Sequence, residues 1–394
     1  GIFAYIGNSI DYDKLYSNFN KIKGRGPDYS ELLKVNSSIF LGFHRLSIVD
    51  QSSNGNQPFN INGIYLICNG EIYNHIELKK ENNFITKSNS DCEIIIHMYQ
   101  KYGISDTIKN LDGVFAFMLY DSNLNKIFVG RDAFGVRPLF YGINKTQKEI
   151  SFSSEMKSIS NISDQVKQFK PGHYTVLNLD NNKIIDDIYH GRFCYWSWYN
   201  YPFDTNITNK MNIDEILYNI KTKLITAVEK RLMSDRPIGC LLSGGLDSSL
   251  ICSIVSRLFK MNNKGVLNTF SIGLPGSTDL KYARLVAQHI GSNHHEVVLT
   301  EKDFLDAIPE VIYAIESYDT TTVRASTANY LIGKYIKENT DITVVYNGDG
   351  SDEQSGYIYL ANAPSLDDFH NECISLLQNI NYSDVTLNVD EMKD

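Results

Sequence analysis

The stretch "PIGCLLSGGLDSS" at 237 to 249 constrains the fold more than any other part of the chain. An apolar strand runs into two consecutive glycines, and a helical pattern over Ser248–Phe259 starts at once. A helix that begins where a strand ends is half of a crossover unit. Its surroundings repeat the alternation: a helix over about Ile213–Met233 comes before it, and the strand "NTFSIG" and a helix over Leu280–Ile290 come after. Two more helices lead to the strand "ITVVY" at 342 to 346, and a last helix is predicted over Leu366–Leu377. Strands that alternate with helices predict a mostly parallel sheet.

The glycine turn offers its amides and a helix N-terminus as a concave donor surface for phosphate. It lacks the lysine of the G-x-x-x-x-G-K-[ST] loop, which argues against ordinary γ-phosphoryl transfer. A carboxylate inside an anion cradle is unfavourable unless a cation intervenes, so Asp247 fits a ligand for Mg²⁺ shared with pyrophosphate. The plain alternative is a glycine turn capped by Asp and Ser. A second loop, "NGDGSDE" at 347 to 353, follows the strand "ITVVY". In open parallel sheets ligands collect at the carboxyl ends of the strands, so the two loops are expected to flank one nucleotide.

Before residue 190 the rhythm is different. Short β-rich segments recur at Ile2–Ile6, Ser38–Phe43, Tyr65–Cys68, Val114–Tyr120, Lys126–Val129 and Glu149–Phe152, with helical periodicity only around Cys92–Tyr102. The run Val114–Tyr120 has no polar alternate face, so both of its faces should be covered. That predicts a layered α+β sandwich. The segment "CYWSWYNYPFDTNITNKM" from Cys194 to Met211 is the best domain boundary.

Composition narrows the partners. The 394 residues, 42% hydrophobic and 21% charged, suffice for two or three domains with their own cores. A net charge of −9 gives no general attraction for nucleic acid or anionic lipid, so small molecules are the expected partners. No apolar run reaches the roughly 18 residues of a membrane span, and no secretory pattern opens the chain. Six cysteines without C-x-x-C spacing read as reduced thiols, and a cytoplasmic location is expected.

The motifs "LLSGGLDSS", "SIGLPGSTDLKYA" at 271 to 283, "YDTTTVRAST" at 318 to 327 and "NGDGSDE" resemble the synthetase domain of glutamine-hydrolysing asparagine synthetases. The first is shared with the wider N-type ATP pyrophosphatases. "RGPD" at 25 to 28, "FHRLSIVD" at 43 to 50, "CNGEIYNH" at 68 to 75, "SDCE" at 90 to 93 and "GRDAFGVRPLF" at 130 to 140 resemble the class II glutamine amidotransferase domain of the same family, in the same order. The resemblance implies a four-layer N-terminal-nucleophile α+β sandwich over 1–195. An α/β parallel-sheet ATP pyrophosphatase domain over 210–394 would follow it.

It also implies a reaction. Aspartate's side chain would attack the α-phosphate of ATP, giving β-aspartyl-AMP and pyrophosphate, and ammonia, free or drawn from glutamine, would displace AMP. Carried over by motif, Ser243, Gly244, Gly245, Asp247 and Ser248 hold pyrophosphate with Mg²⁺, and Asp352 supplies a second metal carboxylate. Leu242, Ile272, Asn347 and Gly348 contact the nucleotide, and Thr322 and Arg324 hold aspartate or phosphate. Where the family has S-G-E-G-S-D-E, this chain has Asn347 and Asp349, the latter one methylene shorter than the glutamate expected near the reacting carbonyl. In the first domain Asn69 and the Gly70 amide match the oxyanion hole. Arg45 and Asp91 match the groups that grip glutamine's carboxylate and ammonium, assisted by Glu71 and by Leu46, Ser47, Ile48 and Val49.

The family's nucleophile is an N-terminal cysteine directly before G-I-F-A, where this sequence starts at Gly1. As written, the chain is not expected to hydrolyse glutamine by that route unless a Met-Cys precedes Gly1, which the retention of Asn69, Glu71 and Asp91 favours. Relatives continue through an A-R-x-P-F-L-D stretch and a lysine, so part of the second domain is expected to be absent. Two further readings stay open: a relative that adenylates another carboxylate to form an amide or lactam, and a truncated remnant that binds glutamine or nucleotide. A homodimer is compatible with all three.

Overall fold

The computed structural model describes residues 1–179, 196–197 and 212–380, and the chain divides between residues 201 and 202 into two compact units. The boundary segment at Cys194–Met211 lies outside the described residues, apart from Trp196 and Ser197, as does the end of the chain at 381–394.

The first unit stacks two antiparallel six-stranded sheets. One has the order β10-β8-β9-β1-β3-β2, with β1 (Ile2–Ile6) between β3 (Ile39–Arg45) and β9 (Glu149–Ser153), and with β8 (Phe140–Asn144) and β10 (Gln165–Gln168) beyond β9. The other has the order β12-β11-β7-β6-β5-β4, with β6 (Gly113–Asp121) between β5 (Ile64–Ile72) and β7 (Lys126–Arg131), and with β11 (His173–Asn178) and β12 (Trp196–Ser197) beyond β7. The apolar run in β6 serves two cores at once. Ala116, Met118 and Tyr120 pack between the sheets, while Phe115, Phe117 and Leu119 join the helical layer of α2 (His75–Asn82) and α3 (Ile94–Asn110). The outer face of the first sheet buries Phe3 and Tyr5 against Leu15 and Phe19 of α1 (Tyr12–Asn20). Helices therefore cover both sheets, in a four-layer sandwich.

Helical structure is not confined to Cys92–Tyr102. α1 and α2 are helices as well, and α3 runs on to Asn110 past a break at Gly103 (φ 74°). Short helices that bury only Leu15, Asn18 and Phe19, or Leu78 alone, leave little periodicity to read. Strands β2 (Tyr29–Lys34), β4 (Phe59–Ile61), β8, β10 and β11 also fall outside the β-rich segments that the sequence predicts. β2 lies at a sheet edge and is mostly half-buried, and β4 is three residues long.

The second unit holds a four-stranded, all-parallel sheet of order β15-β14-β13-β16. Helix α4 (Ile213–Arg231) precedes β13 (Ile238–Leu241), and α5 (Leu246–Met261) leads to β14 (Asn268–Gly273). α6 (Thr278–Ile290), β15 (Asn293–Val298), α7 (Glu301–Ile315), α8 (Thr320–Asn339) and β16 (Val344–Tyr346) follow. The short α9 (Ser351–Ser355) and then α10 (Leu366–Asn379) end the described chain. β15 is an addition to the sequence reading: its polar "NHHE" start carries no strand-like apolar pattern, yet it closes one edge of the sheet.

Candidate active site

In the first unit the motif residues gather around β5. Gly70 is glycine by necessity, because a Cβ there would lie 2.2 Å from the Val114 carbonyl of β6. Asn69 sits beside it with a buried Nδ2 that has no hydrogen-bond partner. A buried donor left open calls for an explanation, and a site for a developing oxyanion requires one. Asp91 lies in a 3₁₀ turn (Asp91–Glu93), and its Oδ2 accepts from the Ile72 N–H (2.6 Å). Burial, with the Glu71 charge adding to it, pushes the Asp91 carboxyl up to about 7. A bound ammonium would favour the ionised form.

Arg45 ends β3 almost fully buried. Its Nη1 donates to the Ser52 carbonyl and the Asn56 side chain (both 2.7 Å), and its Nη2 donates to the Val49 and Asp50 carbonyls. Room for this comes from Gly55, where a Cβ would lie 2.2 Å from Nη2. Arg45 thus shapes the loop that carries Leu46, Ser47, Ile48 and Val49. Ser47 and Leu46 differ in access, the first buried and the second 38% exposed. The "RGPD" motif braces the same loop: Asp28 accepts from the Ser47 N–H (2.8 Å), and Arg25 pairs with Glu155 (3.0 Å). Gly1 donates to the His44 carbonyl (2.6 Å), and Arg25, Arg137, Glu155 and Cys68 all act electrostatically on its nitrogen. The start of β1 therefore shares its surroundings with the neighbours of Asn69 and Glu71.

Sequence reasoning missed Arg137, although it lies inside the quoted "GRDAFGVRPLF". Its guanidinium pairs with Glu71. The loop beneath it is rigid: Arg131 donates to the Gly135, Arg137 and Phe169 carbonyls, and Asp132 accepts from the Phe134, Val136 and Arg137 amides.

In the second unit the two predicted loops meet. A Cβ on Gly348 would lie 2.7 Å from the Ser248 nitrogen and 2.9 Å from the Asp247 carbonyl carbon, so the second loop rests directly on the first turn of α5. The Ser351 hydroxyl donates to Asp247 Oδ1 (2.8 Å) across 104 residues of sequence. Gly244 takes φ +86°, and a Cβ there would lie 2.5 Å from the Ala283 nitrogen, so the glycine loop packs directly on "KYA" of α6. Ser243 and Ser248 join their hydroxyls (2.9 Å). Leu242 is buried and donates to the Phe270 carbonyl (2.8 Å), and Ile272 packs near Phe270. Ser243, Gly245 and Leu246 are exposed, as a ligand cradle must be.

The Asn347 side chain donates to Asp349 Oδ2 (2.6 Å). Desolvation and then Glu353 raise the Asp349 carboxyl, and the Asn347 bond opposes them. The two departures from the family pattern are therefore one hydrogen-bonded pair. Thr322 donates its N–H (2.8 Å) and hydroxyl (2.9 Å) to Asp319, the N-cap of α8, while Arg324 is exposed in the first turn of the same helix. Asp352 follows Ser351 in α9. No cluster of three or more His, Cys, Asp or Glu suited to a metal occurs among the described residues. No described helix is long and apolar enough to cross a membrane.

Residues 1–179 match the glutamine amidotransferase domain family, and residues 219–384 match the asparagine synthase family. The chain is 40% identical over 404 aligned residues to "Asparagine synthetase [glutamine-hydrolyzing]" of Gallus gallus, covering 98% of this chain and 71% of that one. The protein of the same name from Cricetulus griseus is 41% identical with the same coverage. A "Probable asparagine synthetase [glutamine-hydrolyzing]" of Acanthamoeba polyphaga mimivirus is 39% identical, covering 96% of this chain and 71% of its own length.

Proposed function

Because the chain belongs to the glutamine-hydrolysing asparagine synthetase family, we propose that its two motif sets carry out the two halves of ATP-dependent asparagine synthesis. The first unit takes glutamine. Asp91 and Glu71 receive its ammonium, and the Ser47–Val49 backbone, on the loop that both Nη groups of Arg45 hold in place, receives its carboxylate. Asn69 and the Gly70 N–H receive the carboxamide oxygen as it gains charge; the thiol attacking the carbon would be that of a cysteine directly before Gly1, the family's nucleophile, with ammonia leaving and water then releasing glutamate from the thioester. Support comes from the unpartnered Asn69 Nδ2 beside a glycine that only a bare backbone can occupy.

The second unit takes ATP and aspartate. The side-chain carboxylate of aspartate attacks the α-phosphorus, the bond to the β-phosphate oxygen breaks, and pyrophosphate leaves. Ammonia then attacks the acyl carbon of β-aspartyl-AMP, AMP departs with the bonding electrons, and the nitrogen loses a proton. Leu242, Ile272, Asn347 and Gly348 line the nucleotide, while Ser243, Gly244, Gly245 and Ser248 donate to the leaving diphosphate. Exposed Arg324 near the head of α8 holds the anionic end of aspartate or phosphate, Thr322 braces that helix end by giving both its donors to Asp319, and Asp349 faces the reacting carbonyl.

The residues present suit Mg²⁺. That ion is ordinarily held by one or two protein carboxylates together with substrate phosphates, so Asp247 and Asp352 suffice without a third ligand. When bound, it would neutralise charge on the departing diphosphate. The observation that carries this reading is the seating of the 347–353 loop on the Asp247–Ser248 turn, tied by the Ser351 bond. The working divisions are a glutaminase unit over 1–195 and a synthetase unit over 210–394. Aspartate, glutamine or ammonia, and ATP are the substrates, in the cytoplasm. The test is pyrophosphate release with ATP, Mg²⁺ and ammonia. Release that depends on aspartate supports the reading, and release that ignores aspartate refutes it.

A further inference from the structure

The edge of β5 that faces away from β6 is closed piece by piece. Ile64 and Leu66 pair with Ile61 and Phe59 of β4, which then ends. Backbone groups of an antiparallel strand point alternately to its two sides, so Cys68, Gly70 and Ile72 turn to the same edge. Side chains replace the strand there. Gln57 Oε1 accepts from the Cys68 N–H (2.6 Å) while its Nε2 donates to the Cys68 carbonyl (3.3 Å). The Cys92 thiol donates to the Gly70 carbonyl (3.5 Å), Asp91 accepts from the Ile72 N–H, and His75 Nδ1 lies 3.0 Å from the Ile72 carbonyl. Contact with Cys68 and burial push the Cys92 thiol up, so it keeps the proton it donates.

Of the six backbone groups at these three positions, five are thereby engaged, and the sixth is the Gly70 N–H. A longer β4 would give Cys68 the same two bonds but would go on to cover Gly70. A buried side-chain amide ends where it is needed. We propose that Gln57 is a positioning residue of the glutamine half-reaction, its amide standing in for a strand neighbour at Cys68 and so aiming Asn69 and the Gly70 N–H at the substrate oxygen. This rests on the reading of those two groups as oxyanion donors.

The test is Gln57→Ala in the full chain, with Gln57→Glu as a milder variant that keeps the acceptor and loses the donor. Glutamate release from glutamine should lose about 10- to 100-fold in kcat, with KM changed by less than about threefold. Gln57→Glu should fall between wild type and Gln57→Ala. Ammonia-dependent synthesis should stay within about twofold of wild type, the ordinary scatter of a change remote from that chemistry. Hydrogen exchange at the Cys68 amide should quicken relative to Leu66, whose partner is β4. Unchanged exchange at Cys68 overturns the clamp, and faster exchange with unchanged kcat overturns its role. If wild type releases no glutamate, a missing nucleophile before Gly1, and not Gln57, accounts for it. Hydrogen exchange at the Cys68 amide then decides: faster exchange in Gln57→Ala supports the proposal, and unchanged exchange overturns it.

Discussion

In the proposed function, strand residues 68–72 and the loops at 243–248 and 347–353 both offer backbone N–H groups to a ligand, yet they are built from different material. Around β5 several neighbouring side chains are tied down: Gln57 on Cys68, Asp91 on Ile72, Glu71 on Arg137, and Arg45 on its own loop. The glycine loops have Ser243, Gly245 and Leu246 exposed, and one side-chain hydrogen bond, Ser351 to Asp247, joins them. The contrast follows from the ligands. A neutral carboxamide brings no charge, so its site must hold fixed donors in a dry setting. A triphosphate brings its own charge and counter-ion, so its site can stay open until both arrive.

The sharpest way to break the contrast is at the open site. Asp247→Asn should lower aspartate-dependent pyrophosphate release by on the order of 10³-fold while leaving glutamate release and melting temperature unchanged. An assay of both activities on one preparation checks this. At the closed site, Asn69→Ala should cost about 10²- to 10³-fold in glutaminase kcat, with ammonia-dependent synthesis retained.

Smaller effects sharpen the comparison. Glu93 is buried; burial alone would raise its carboxyl, but hydrogen bonds from His97, Ser88 and the Lys87 and Ser88 amides bring it from 4.5 to about 2. Its folded value is depressed, so its stabilisation is full above its ordinary 4.5 and is lost as pH falls toward 2. Glu93→Gln should therefore cost about 2–3 kcal/mol at neutral pH by denaturant titration, with a smaller cost near pH 3. Asp91 shifts the other way. Its carboxylate forms only above about 7, so the KM for glutamine should rise as pH falls through 7, by up to about tenfold per unit below it. Asp91→Asn should flatten that profile at a uniformly weak affinity.

Much of this was legible in the sequence, and the rest was hidden for identifiable reasons. The β6 run announced two cores because all its residues are apolar, and the strand–glycine–helix unit at 237–249 announced a parallel sheet. Strand β15 was invisible because its polar residues bond to one another and to β14, as His294 does with Thr269 and Ser271, rather than joining an apolar face. Ser351 and Gln57 were equally silent. Nothing local marks a serine that reaches across 104 residues or a glutamine that substitutes for a strand. The exchange of Ser-Gly-Glu for Asn347-Gly348-Asp349 was visible as two departures, but only the fold makes them one pair.

The account turns on the two loops forming a single site that splits ATP between its α- and β-phosphates. Quantifying nucleotide products with ATP, Mg²⁺, aspartate and ammonia tests this directly. AMP, pyrophosphate and asparagine should appear in equal amounts, and all three should vanish together in Asp247→Asn. Formation of ADP and orthophosphate, or AMP that accumulates without aspartate, would contradict it.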